Sequence, residues 1–69
     1  MKISARNALK GKVKSVVRDS VDSEIILELS GGMKITSIIS TKSVDNLNLK
    51  VGDEVYAVIK ATNVMIATD

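Results

Sequence analysis

Three short stretches of this 69-residue chain carry hydroxyl, amide and cationic groups at spacings that suit an anion. In ISARNALKG, Ser4, Arg6 and Asn7 set a hydroxyl, a guanidinium and an amide almost side by side, with no carboxylate among them. In ISTKS, Ser40 and Ser43 stand three apart. A helix starting there brings both hydroxyls toward one side of its first turn, beside N–H groups without intrahelical partners. In VIKATN, Lys60 closes an apolar alternation, and Ala61 and Thr62 lead into a turn whose backbone N–H groups are free to face a ligand. Each stretch also has a plainer explanation. Ser40 or Thr41 can act as an N-cap for the amide of Ser43 or Val44, Lys60 can guard a sheet edge against aggregation, and Arg6 can cover a barrel end.

Taken together, the stretches describe one kind of ligand. Arg6 and Lys60 supply two positive charges, and Ser4, Ser40 and Ser43 supply neutral donors, which matches a compact dianion with several oxygens to satisfy. The acids are Asp19, Asp22, Glu24, Glu28, Asp45, Asp53, Glu54 and Asp69, so residues 1–18, 29–44 and 55–68 contain none. If those segments meet, they form a site with donors and no acceptor charge. Phosphate near neutral pH keeps a proton that a discriminating site would meet with an acceptor. Sulfate, molybdate and tungstate are fully deprotonated and need donors only, so the site leans toward them, and cavity size decides among the three.

Catalysis fits poorly. With no His and no Cys, most acid–base pairs, zinc sites and thiol nucleophiles are excluded. A serine with Lys60 as its base lacks an evident substrate pocket. SGGMK sits where a hairpin is expected, not between a strand and a helix, so it is no phosphate loop. The reading is a binding protein, not an enzyme, with no cofactor.

Size bears on how such a site is assembled. The chain is expected to form one domain over residues 1–69, and a domain of this length buries only about 60% of its unfolded surface. Disulfides and structural metals are ruled out with Cys and His, which leaves oligomerisation as the staple. Apolar content is 45%, nearly all aliphatic, with Tyr56 the sole aromatic, and a single copy would leave part of it exposed. No signal peptide or membrane span is apparent, so a cytoplasmic location is the default expectation. Net charge is only +2, a thin argument for nucleic acid despite a basic isoelectric point near 9.1.

β-branched residues dominate and turn signals recur every eight to twelve residues, the pattern of a small barrel or sandwich. A first strand is expected over 9–18, with Gly11 marking a bulge or a close backbone approach. A second runs over 24–29, closed into a hairpin by Ser30, Gly31 and Gly32. In the third, 33–40, Met33, Ile35, Ser37 and Ile39 share a face. The spacing of Val44 and Leu47 behind a Ser/Thr start predicts a short helix over 41–47. Val55, Ala57 and Ile59 alternate with Tyr56, Val58 and Lys60 in a fourth strand, and VMIAT reads as a fifth. Five strands with one small helix between the third and fourth give an all-β, OB-like five-stranded barrel, assembled as a homo-oligomer.

ISARNALKGKV, GGMKITSIISTKSVDNLNLKVGDEV and AVIKATNVMIA together resemble the molbindin (Mop) family of small bacterial molybdate-binding proteins, over nearly the whole chain. The resemblance implies an OB-like fold, a homohexamer built as a trimer of dimers, and molybdate or tungstate bound between subunits. It also implies a role in intracellular molybdenum storage or homeostasis. The family's older name implies a pterin, whereas its ligand is the oxyanion, with no side chain ligating the metal directly. Carried onto this sequence, one subunit supplies Ser4, Arg6, Lys60 and Ala61, and its neighbour supplies Ser40 and Ser43. Many relatives have Gln where this chain has Ala8, a change beside the site that leaves the donor set intact. The family also has further anion sites near the symmetry axis, to which no residue here is assigned. The competing reading is a nucleic-acid-binding OB module, for which Tyr56 is the one available stacking ring; a purely structural oligomer is a third.

Overall fold

The computed structural model describes all 69 residues. The chain runs β1 (Asn7–Arg18), β2 (Asp22–Leu29), β3 (Lys34–Ser40), α1 (Thr41–Leu47) and β4 (Glu54–Ile59). The strands form one antiparallel sheet in the order β3-β2-β1-β4. β1 organises it: residues 11–18 pair with β2 and residues 7–12 with β4. The two pairings overlap at Gly11 and Lys12, Gly11 lying opposite Leu29 on one side and Val55 on the other.

Gly11 is a close approach, not a bulge. A Cβ built there would lie 3.0 Å from Leu29 Cδ2 and 3.1 Å from the Glu28 carbonyl oxygen. Gly11→Ala is therefore expected to push β2 away from β1 and lower the melting temperature by about 5–10 °C, the usual cost of overpacking in a domain this small. A thermal melt followed by circular dichroism checks this, and an unchanged midpoint would contradict the crowding. The bulge itself lies three residues on, where Val13 pairs with Leu27 but Ser15 already pairs with Ile26. Lys14 is the extra residue, and it resets which positions face inward. Val13 is buried before it and Val16 packs on the core after it, while Val17 is left exposed.

The core is small. Val13, Ile25, Leu27 and Val44 are its four buried hydrophobic side chains, with Ile35, Ile39, Leu49, Val55 and Ala57 packed partly around them. Each full burial stabilises by roughly 1.5–3 kcal/mol, which is little for a chain of this length to fold on alone.

The β2–β3 hairpin turns through Ser30–Gly32, with Gly31 and Gly32 at φ 85° and 86°, where a side chain would be strained. Inward positions on β3 are Ile35, Ser37 and Ile39, as the alternation requires, although Met33 precedes the strand and is exposed. α1 follows with the predicted bounds, burying Val44 and closing on Asn48 in the left-handed region.

The expected fifth strand does not form. Residues 64–69 carry no strand, and Met65 and Ile66 are 91% and 86% exposed. VMIAT has the β propensity, but a strand exists only against a partner, and no edge of this sheet pairs with it. The architecture is thus an all-β half-barrel of four strands and one short helix, with β3 and β4 as unpaired edges. Between those edges opens an apolar trough of about 670 Å³, lined by Ile25, Leu27, Ile35, Ile39, Val55 and Ala57 among others. No helix is long and apolar enough to cross a membrane.

Candidate functional site

The sequence-predicted residues gather into two groups. The first forms where β1 begins and β4 ends. Asn7 pairs with Ile59, and its Nδ2 donates to the Ile59 carbonyl at 3.3 Å. The β1–β4 register ends at that pair, and Arg6 and Lys60 are the next residues beyond it on the two strands. Ser4 lies two residues before Arg6. Lys60 leaves the strand into a 3₁₀ turn, Ala61–Asn63, whose hydrogen bonds come from the amides of Asn63 and Val64. The amides of Ala61 and Thr62 stand outside those bonds.

Arg6 and Lys60 are both exposed and neither has a carboxylate partner. Three other cations are committed: Lys10 Nζ lies 3.1 Å from Glu54 Oε2, Lys14 Nζ 4.0 Å from Glu28 Oε1, and Arg18 Nη2 2.7 Å from Asp45 Oδ1, while Lys2, Lys12, Lys34, Lys42 and Lys50 are also without a carboxylate. The hydrogen bond and charge of Glu54 hold the Lys10 ammonium above its usual range.

The second group is the junction of β3 and α1. Ser40 is the N-cap, its Oγ accepting from the Ser43 amide at 3.0 Å. The capping role anticipated for Ser40 is therefore real, and it does not exhaust the pair. The Ser40 hydroxyl donates to Ser43 Oγ at 2.7 Å, so its proton is used inside the pair and the Ser43 proton is left to donate outward. Lys42, between them, is exposed.

The structure brings each group together but not the two groups to each other. No hydrogen bond or ion pair joins them. Arg6 precedes the first residue of β1, whereas the Ser40 junction attaches beyond its last, through Asp22 and the β1–β2 turn. Twelve residues of strand separate those ends, nominally about 40 Å before bending, against a longest molecular dimension of 36 Å. β1 therefore bends, and the two groups lie at its opposite ends. No cluster of His, Cys, Asp or Glu suited to a metal ion is present.

Sequence reasoning missed what lies behind the second half-site. Ser23 is 2% exposed, and its Oγ is 2.7 Å from Thr41 Oγ1. Ser23, Ile25 and Leu27 alternate inward along β2, so a polar residue in an apolar register was the available signal.

Residues 3–66 match the TOBE domain. The chain is 56% identical over 66 residues to molybdenum-pterin-binding protein 3 of Clostridium pasteurianum, covering 96% of this chain and 97% of that protein. Among solved structures, the apo form of MopII from Clostridium pasteurianum has a TM-score of 0.93 at 54% identity, covering 97% of this chain and all of that one. The molybdate-binding protein from Sporomusa ovata has a TM-score of 0.93 at 37% identity, covering 99% of this chain and all of that one.

Proposed function

This chain belongs to the TOBE-domain family and, within it, to the molybdenum-pterin-binding (Mop) proteins, and from that membership we propose that it binds molybdate, and tungstate with it, between copies of itself. The observation that carries the reading is likeness over nearly the whole length to a molybdate-binding protein. Its chemical counterpart here is the free cation pair of Arg6 and Lys60, facing solvent without a carboxylate. Ser4, Arg6, Lys60 and the Ala61 amide form one wall of each site, and Ser40 and Ser43 of a neighbouring copy form the other. The anion is a ligand, not a cofactor for catalysis, and the role is molybdenum storage or homeostasis.

Three features support assembly, for which a homohexamer arranged as a trimer of dimers is the proposed form. The half-sites are apart within one chain, the trough between β3 and β4 is apolar and open, and the segment at 64–66 is apolar and exposed. A dianion that binds only the completed site stabilises the assembled state by mass action, by about 2.7 kcal/mol per site at a hundredfold excess over Kd. Molybdate is therefore expected to raise the melting temperature by several degrees, and chloride at equal ionic strength to leave it unchanged. Scanning fluorimetry reads both, and an equal response to the two salts would count against specific binding. Native mass spectrometry with molybdate, tungstate and sulfate reports assembly size and bound anions together.

A further inference from the structure

Three hydrogen bonds fix Thr41 from behind the Ser40–Ser43 pair. Its backbone N–H donates to the Val21 carbonyl at 2.8 Å, and its Oγ1 donates to the Asp19 carbonyl at 2.6 Å. That commits the single Thr41 proton, so in the 2.7 Å contact the buried Ser23 hydroxyl is the donor and Thr41 Oγ1 the acceptor. The result is a directed chain, from Ser23 through Thr41 to the Asp19 carbonyl, that ties the β3–α1 junction to the β1–β2 turn. Arg18 and Asp45, 2.7 Å apart, add a second tie between the end of β1 and the body of α1.

This chain stands directly behind the residues that reach outward. Ser40 precedes Thr41 and Ser43 follows it by two, so the backbone between the two hydroxyls is anchored at its middle. We propose that Thr41 and Ser23 are positioning residues for oxyanion binding: they touch no anion, but they hold Ser40 and Ser43 at the separation that leaves the Ser43 proton pointing out of the pair. The inference rests on the reading above that Ser40 and Ser43 form one wall of the molybdate site. Without the anchor, the junction can turn and the capping bond between Ser43 N–H and Ser40 Oγ loosens. The wall then loses its order before the anion arrives, and binding must supply the ordering.

Thr41→Val keeps the shape of the side chain and removes both hydroxyl bonds, Thr41→Ser keeps the hydroxyl, and Ser23→Ala removes one donor while leaving the Thr41–Asp19 bond. Two readouts are needed, molybdate affinity by calorimetry and hydrogen exchange of the Ser43 amide, each taken well below the melting temperature on samples of equal assembled mass. Thr41→Val is expected to lose about tenfold in affinity, Ser23→Ala a smaller factor, and Thr41→Ser to stay within about twofold of the parent. Exchange of the Ser43 amide should accelerate in the same order. A merely structural role would lower the melting temperature of Thr41→Val and leave affinity and Ser43 exchange alone, and that result overturns the proposal. Equal losses in Thr41→Val and Thr41→Ser also overturn it, since the hydroxyl would then not matter. If Thr41→Val does not fold, Ser23→Ala decides by the same two measurements. A parent protein that binds no molybdate would defeat the functional reading, and Ser43 exchange would still show whether Thr41 holds the junction.

Discussion

Arg6→Ala is expected to weaken molybdate binding by about two orders of magnitude, on the order of 3 kcal/mol, while Lys10→Ala leaves affinity almost unchanged. Both substitutions remove one positive charge from β1 or its threshold, so net charge and salt response alter equally. What differs is where the charge is spent. Lys10 faces Glu54 at 3.1 Å and is already compensated. Arg6 has no carboxylate, and neither has Lys60, its proposed partner on the same wall of the site. A dianion between them needs both charges, and removing one leaves the ligand undercompensated as it is desolvated. Arg6→Lys retains the charge but loses the planar fork that holds two oxygens at once, so its affinity should fall between the parent and the alanine variant. Titration calorimetry at fixed ionic strength separates these cases. Equal losses in Arg6→Ala and Lys10→Ala would reduce the effect to general electrostatics and end the assignment of Arg6.

What could be read from the sequence divides along a physical line. Features set by near neighbours were legible: α1 over Thr41–Leu47, its Ser40 cap, the glycine turn at Gly31 and Gly32, and the inward alternation of Ile35, Ser37 and Ile39. Each depends on residues within a turn or two of one another. Features set by partners distant along the chain were not. The bulge at Lys14 shows only in the pairing of β1 with β2, and KVKSVVR alone offers an equally good unbroken alternation. Gly11 signalled an irregularity, but only the approach of Leu29 and Glu28 identifies it as a contact. VMIAT has the composition of a strand and no edge in this sheet to pair with.

The donor set divides in the same way. The absence of acids from residues 1–18, 29–44 and 55–68 was visible in one dimension and pointed to a donor-only site. Arg6 and Lys60, next beyond the last β1–β4 pair, and the mutually bonded Ser40 and Ser43 are the local halves of the proposed site. Their separation along β1 explains why no single-chain pattern completes it. Ser23 escaped notice and Thr41 was legible only as a possible cap, because their importance lies in a contact between β2 and the β3–α1 junction, 18 residues apart in sequence.

The separation of the half-sites makes the segment at 64–66 the most sensitive place to disturb function from a distance. Met65 and Ile66 are among the most exposed apolar side chains in the chain, and the half-barrel has an apolar trough and unpaired strand edges. If a second copy's segment fills that trough, two side chains per copy each contribute roughly 1.5–3 kcal/mol of apolar burial, and a two-fold contact counts both copies. An aspartate at either position would carry an unpaired charge into an apolar groove, a cost that removes the gain and more. The double substitution Met65→Asp with Ile66→Asp is therefore expected to reduce the particle to the mass of one chain, read by light scattering. It should also abolish molybdate binding although Ser4, Arg6, Lys60, Ser40 and Ser43 are untouched. Met65→Leu, which keeps size and polarity, should retain both mass and affinity. In the proposed two-copy site the losses occur together, because the donors of one copy would be completed only by those of the next. A variant that fell to single chains yet still bound the anion would show that one chain suffices, and a variant that kept its assembled mass would move the contact between copies elsewhere on the half-barrel.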